Sequence, residues 1–163
     1  MKIESIRIPQ DLQEVISITQ DAFSDGSDSS LSDWLSFEEI EKQISNRRGI
    51  CLKAEDENGK ILGVTYAEQE RPANGREGLE KWVVILAAVL KSESGKGIGS
   101  QLLSSLEESI SSLGGVKIFI FTNEGDEQVI NFYKKNGYRD AGRIEDYQYG
   151  KGNSAVFLLK YLN

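Results

Sequence analysis

The sequence predicts a single α/β domain over residues 1–163, with a mixed, largely antiparallel central sheet flanked by helices. Three observations lead to that expectation. The run Trp82-Val83-Val84-Ile85-Leu86-Ala87-Ala88-Val89-Leu90 is unbroken and lacks alternation, as in a central strand buried on both faces. A glycine-rich turn follows it, and then a helical stripe of Leu102, Leu103, Leu106, Ile110 and Leu113, which gives one apolar face. Upstream, residues 51–54 and 61–68 bracket Asp56-Glu57-Asn58-Gly59, and Asn-Gly is the strongest short-range signal for a β-hairpin. At 163 residues the chain can bury roughly two-thirds of the surface its unfolded form exposes, so no disulfide or metal is needed to hold a core.

The other elements follow in order. Ile3, Ile6 and Ile8 read as a short strand, and Pro9-Gln10-Asp11 opens a helix with Asp11 as its cap and Glu14 three residues on. Leu12, Val15, Ile16, Thr19, Ala22 and Phe23 keep helical spacing on one face. Residues 24–33 shift to Ser, Asp and Gly, a loop, before Ser36-Phe37-Glu38-Glu39 gives a second capping box and a helix running to Gly49. Residues 71–78, with Pro72, Asn74 and Gly75, form another loop. Gly114-Gly115 ends the leucine-striped helix, residues 116–121 make a further buried strand, and a helix starts at about Asp126. It carries Val129, Phe132 and Tyr133 and ends at Lys134-Lys135-Asn136-Gly137, where cations and an αL-tolerant residue suit a C-terminus. Two closing strands, 138–149 and 155–161, meet at Gly150-Lys151-Gly152-Asn153.

Composition excludes several chemistries. The chain has 26 acids against 19 bases, a formal charge of −7, so nucleic acid and anionic membrane are poor partners and a cationic one fits better. It has no histidine and one cysteine, Cys51, which removes zinc sites built from Cys and His, any Ser-His-Asp or Cys-His mechanism, and an intramolecular disulfide. No metal is expected. Residues 1–7 carry a charge every few positions, unlike a signal peptide, and the apolar run 82–90 is far too short for a bilayer span. A reduced, cytoplasmic setting is the expectation, with monomer and homodimer both compatible.

The informative constellation is the strand end Ala88-Val89-Leu90, the loop Ser94-Gly95-Lys96-Gly97-Ile98-Gly99 and the helix after it. Glycines let the backbone turn tightly and approach a ligand, while free N–H groups at a helix start point outward with the positive end of the dipole, an anion cradle. A Walker loop requires Gly-Lys-Ser/Thr, and here Lys96 lies between glycines. A dinucleotide fingerprint requires two residues between its second and third glycines and an acid about twenty further on, whereas Gly97 and Gly99 are separated by one residue and position 119 is Phe119. On the loop alone, a ligand-free strand-to-helix turn stays open.

With the second motif, Asn131-Phe132-Tyr133-Lys134-Lys135-Asn136-Gly137-Tyr138, the chain resembles the GNAT family of acyl-CoA-dependent N-acetyltransferases. That family's loop reads Arg/Gln-x-x-Gly-x-Gly/Ala, matched by Gly97 and Gly99, and its later motif reads Phe-Tyr-x-x-x-Gly-Phe/Tyr. The order of elements agrees over nearly the whole chain. The resemblance implies a sheet splayed between strands 4 and 5, with the pantetheine of acetyl-CoA in the gap against backbone groups of Ala88, Val89 and Leu90. It places the pyrophosphate on the N–H groups of Ser94, Gly95, Lys96, Gly97, Ile98 and Gly99, each bond to an ionised oxygen contributing about 1.5–3 kcal/mol. Ser94 departs from the family's leading Arg or Gln, and Lys91 or Lys96 would restore a cation there. Tyr133 falls where the family has a tyrosine that protonates the departing thiolate.

A general base is less determined. Some relatives carry a glutamate midway along the fourth strand, a site that falls near Val83, in a run with no acid. Glu80, just before that run, is the first candidate, with Glu68 and Glu70 behind it, each acting through ordered water. The acceptor side would be walled by the segment between the first two helices and by the last two strands. From Asp21 to Glu41 there are seven acids and no base, with Phe23, Leu31, Trp34 and Leu35 interleaved, and the last strands offer Glu145, Asp146, Tyr147 and Tyr149. Acids beside aromatics suit a cationic amine. Two other functions fit the same residues: a non-catalytic acyl-CoA-binding or regulatory module, and a protein-interaction domain using its acidic face.

Overall fold

In the computed structural model, which describes residues 1–24, 35–70, 80–147 and 152–162, the chain runs β1 (Lys2–Ser5), α1 (Leu12–Ala22), α2 (Phe37–Ser45), β2 (Gly49–Glu55), β3 (Ile61–Gln69), β4 (Lys81–Val89), α3 (Ile98–Ser112), β5 (Lys117–Asn123), α4 (Glu127–Lys135), β6 (Arg139–Ile144) and β7 (Ala155–Tyr161). Among the described residues these seven strands form one sheet in the order β1-β2-β3-β4-β5-β7-β6. Every pairing is antiparallel except that of β4 with β5. The sheet is thus mixed and largely antiparallel, as its hairpins and its one crossover helix require.

Apolar side chains sort into two layers. Val15 and Ile18 of α1 and Ile40 of α2 pack with Cys51, Val64, Tyr66 and Leu86. The stripe of α3, Leu102, Leu103, Leu106 and Ile110, packs with Trp82, Ile118, Ile120, Tyr133 and Leu158. The hairpin turn forms as the sequence predicts: Gly59 takes φ +84°, and the Asp56 carboxylate accepts the N–H groups of Asn58 and Lys60 at 2.8 and 3.0 Å. Ser36 caps α2 by accepting the Glu39 N–H at 3.2 Å, and Asp126 caps α4 by accepting that of Val129 at 3.3 Å.

Some sequence expectations are corrected. Asp11 does not cap α1 with its side chain; its carboxylate is held by Arg7 at 2.7 Å and by Lys53 at 3.1 Å. Glu14, its expected capping partner, accepts the N–H of Ile61 at 3.1 Å instead. Ion pairing, to a neighbour four residues back and to a lysine far along the chain, here outcompetes the cap. The second helix stops at Ser45 rather than Gly49, because Gly49 joins β2. Of the strand expected over 138–149, the described residues 138–147 form strand only in β6. Residues 25–34 with Leu31 and Trp34, the expected loop 71–78, Tyr149, Gly150 and Lys151 lie outside the described residues.

Candidate functional site

β4 and β5 stay paired only at Lys81–Lys117, Trp82–Ile118 and Val83–Phe119, although the strands continue to Val89 and Asn123. Beyond Val83 they part, and the gap widens into a cavity of about 830 Å³. β4 contributes Val84, Ile85, Ala87, Ala88 and Val89 to its wall, β5 residues 120–123, β3 Val64 and Thr65, and α4 Phe132 and Tyr133 among others; the loop before α3 and the end of α1, Ala22 and Phe23, also line it. The run 82–90 is therefore not buried on both faces throughout. Ala87 is exposed in the middle of a central strand because the neighbour that would cover it has moved away.

Register decides which backbone groups face this gap. Leu90 donates its N–H to the Leu62 carbonyl at 2.9 Å. In an antiparallel ladder, opposed pairs alternate between hydrogen-bonded and not, so from Leu62–Leu90 the pairs Val64–Ala88 and Tyr66–Leu86 bond within the sheet. The intervening residues Val89 and Ala87, opposite Gly63 and Thr65, turn their N–H and C=O groups toward the gap. The register shifts between Tyr66 and Ala67, which leaves Ile85 as an extra residue, a bulge, on β4.

The loop is a short 3-10 turn, Lys91–Glu93, followed by Gly95 at φ +77° and Gly97 at φ +81°. These left-handed values are open to glycine at little cost. Gly97 is the N-cap of α3 and has no side chain to occupy the first amides; the first intrahelical bond in reach is Gln101 N–H to the Gly97 carbonyl at 3.1 Å. The N–H groups of Ile98, Gly99 and Ser100 therefore lack intrahelical partners, and the first turn holds no acid to repel an anion. The Ser94 N–H is taken up by the Lys91 carbonyl at 3.2 Å. The Asp21 carboxylate accepts the Lys91 N–H at 2.9 Å and so ties the end of α1 to the loop.

Of the residues the sequence singles out, Ala88, Val89, Ser94, Gly95, Gly97, Ile98, Gly99 and Tyr133 line the cavity. Leu90 and Lys96 do not line it: the Leu90 amide is bonded to Leu62, and the Lys96 ammonium lies 2.8 Å from the Glu93 carboxylate. Tyr133 is buried, edge-on to Phe132 and Tyr138 with ring centroids 5.1 Å away in each case. Burial pushes its phenol pKa well above the ordinary tyrosine value, so the hydroxyl keeps its proton. Glu80 is not brought to the cavity. It precedes β4, its carbonyl accepts the Val116 N–H at 2.9 Å, and the first β4 residue of the wall, Val84, lies four positions on, roughly 13 Å along a strand.

Ala87, Thr65, Phe121 and Phe132 also line the cavity and were missed as site residues; only a known bulge position could have pointed to Ala87. Phe121 packs against Tyr147 and Phe157, with centroids at 5.2 and 5.4 Å. The acids nearby are engaged: Arg143 bonds Glu124 at 2.7 Å and Glu145 at 3.0 Å, and Asp146 accepts the Gly152 N–H at 2.6 Å.

Comparison with known proteins agrees with this geometry. No curated protein matches the sequence significantly. Among solved structures, the fold is similar to an aminoglycoside 6'-N-acetyltransferase complexed with coenzyme A (TM-score 0.77, 18% identity, covering 100% of this chain and 98% of that one). It is similar as well to the ribosomal-protein-alanine N-acetyltransferase of Brucella melitensis (0.78, 22%, 99% and 100%) and to the aminoglycoside 6'-N-acetyltransferase of Enterococcus faecium (0.76, 20%, 100% and 98%). No helix among the described residues is long and apolar enough to cross a membrane. Residues 12–138, well over half the chain, match the family described as Acetyltransferase (GNAT) family, and with the splayed strands and the glycine cradle this chain belongs to that family, whose acyl donor is acetyl-CoA.

Proposed function

We propose that the protein is an N-acetyltransferase that moves the acetyl group of acetyl-CoA to a primary amine by direct attack, without an acyl-enzyme. The observation that supports it most is the continuity of one cavity from the amides at the start of α3 to the buried phenol of Tyr133. When bound, acetyl-CoA supplies an activated thioester, which a neutral amine can attack. The amides of residues 95–100 hold the diphosphate, and Ala87 and Val89 offer strand-like bonds to the pantetheine arm, which fixes the position of its far end. Tyr133 keeps its proton at every working pH and gives it to the sulfur as negative charge develops there.

The amine's proton leaves to water. Any part Glu80 takes in that step runs through ordered water. The acceptor is a cationic amine: the net charge of −7 favours its approach, and the wall at Phe121 offers an aromatic face. Acceptors in the structural relatives include aminoglycosides and a ribosomal protein's alanine, both amine-bearing.

Calorimetry with acetyl-CoA, followed by thiol release with a panel of amines, tests the reading. Specific binding and amine-dependent thiol release are expected. Binding without release from any amine would leave an acyl-CoA-binding module, for which Ser94 in place of Arg or Gln and the Lys96–Glu93 pair are the relevant features. Absence of binding would remove the enzymatic account and favour an acidic interaction domain.

A further inference from the structure

The bulge at Ile85 sets the alternation of β4. Ahead of it, Glu70 donates its N–H to the Lys81 carbonyl at 3.1 Å, so Lys81 and Val83 bond β3 while Trp82 and Val84 face β5. Past it, the same alternation resumes one residue late, and Ala87 and Val89 face the gap. Without the extra residue, Leu86 and Ala88 would face it, and every side chain beyond Val84 would change sides of the sheet. Leu86 is only 1% exposed, in the core under α1 and α2; turned over, its isobutyl group would stand where Ala87 now leaves the wall open. The width of the cleft thus depends on where the bulge sits.

One side chain holds it there. Thr65, opposite Ala87 on β3, donates its hydroxyl to the Leu86 carbonyl at 3.0 Å, one residue past the bulge. Thr65 is 1% exposed, so water is no ready substitute, and losing the bond would leave a buried hydroxyl without this acceptor or the Leu86 carbonyl with only its ladder bond to Tyr66. A register slip moves the Leu86 carbonyl out of reach and is opposed by the same bond. We infer that Thr65 is a positioning residue that pins the β4 bulge and thereby presents Ala87 and Val89 to the cleft. Its kinetic consequence rests on the acetyltransferase reading; its structural consequence does not.

The test compares Thr65→Val, which keeps the shape and removes the donor, with Thr65→Ser, which keeps the donor. In the ligand-free variants, amide hydrogen exchange at Leu86 and Ala88 is read against Ile118 in the same molecule, which reports overall stability. Thr65→Val is expected to speed exchange at the first two about tenfold relative to Ile118, and Thr65→Ser to restore it. In turnover, Thr65→Val is expected to lower kcat/KM for acetyl-CoA about tenfold, with binding of adenosine 3',5'-bisphosphate, which lacks the arm, unchanged. Unaltered relative exchange in Thr65→Val overturns the inference whether or not the protein binds acetyl-CoA. Altered exchange with unaltered kcat/KM overturns its link to the site. A wild-type protein that fails to bind acetyl-CoA refutes the proposed function separately, and the exchange result still decides the role of Thr65.

Discussion

A Cβ built on Gly99 would lie 3.3 Å from the ring of Phe132. Gly99 stands in the first turn of α3, at the end of the glycine motif, and Phe132 immediately precedes Tyr133 on α4, so the two motifs meet in a single contact. The cradle for an anion and the helix presenting the phenol are held at a fixed spacing by packing. Gly97 is constrained differently: the space about its Cα is open, with nothing nearer than the Gln101 side chain at 4.0 Å, but its φ is +81°.

The two glycines therefore predict two phenotypes. Gly97→Ala should destabilise the fold by about 1–2 kcal/mol through backbone strain and weaken acetyl-CoA binding by distorting the first amides of α3. Gly99→Ala keeps ordinary helical backbone but displaces Phe132, and should lower kcat more than it raises the Kd of acetyl-CoA. Denaturant unfolding and calorimetry, run beside initial rates, separate the two.

Tyr133→Phe removes only the hydroxyl of a buried ring. Its loss should reduce kcat about 100-fold while the Kd for acetyl-CoA holds nearly constant. Because burial raises the phenol pKa, the wild-type rate should show no fall on the alkaline side attributable to this group. Glu80→Gln, outside the cavity wall, is expected to lower kcat less than Tyr133→Phe does. An unchanged rate in Tyr133→Phe would refute the assignment of the acid.

Cys51 is buried, and burial alone pushes its thiol pKa up to about 12. A thiol held protonated in this way is a poor nucleophile. Native protein treated with iodoacetamide at neutral pH should keep its full activity, and Cys51→Ala should turn over at nearly the wild-type rate. Loss of activity on alkylation at Cys51 would point instead to an acyl-enzyme.

Lys53 has no exposed side-chain surface and lies 2.6 Å from Glu55, 3.1 Å from Asp11 and 3.5 Å from Glu4. Hydrogen bonding from Arg7, helped by Lys53, holds the Asp11 carboxyl far below its ordinary 3.8. A carboxylate so depressed contributes stability that is present above the ordinary value and is lost as pH falls below it toward the folded value. Asp11→Asn should therefore cost roughly 3 kcal/mol at pH 7, and the gap between variant and wild type should close as unfolding is measured below about pH 4. A gap that stays constant through that range would exclude this linkage.

Some of this architecture was legible locally. Asn58-Gly59 dictates a hairpin, the leucine stripe dictates an amphipathic α3, and Ser36 dictates a cap, because each depends on residues within a few positions of one another. The loop glycines were legible for the same reason, since positive φ is a local demand that few residues but glycine meet readily. Asp11 was misread as a cap because its carboxylate is taken up by Arg7, four residues back, and by Lys53, which arrives from a strand far along the chain.

The sequence by itself determined the elements, their order, the glycine cradle and the supply of a phenol. Tertiary structure alone decided where β4 and β5 separate, after Val83, and that Ala87 rather than Leu86 meets the gap. Those outcomes depend on cross-strand register and on which neighbour is missing, and neither is encoded in the periodicity of a single segment.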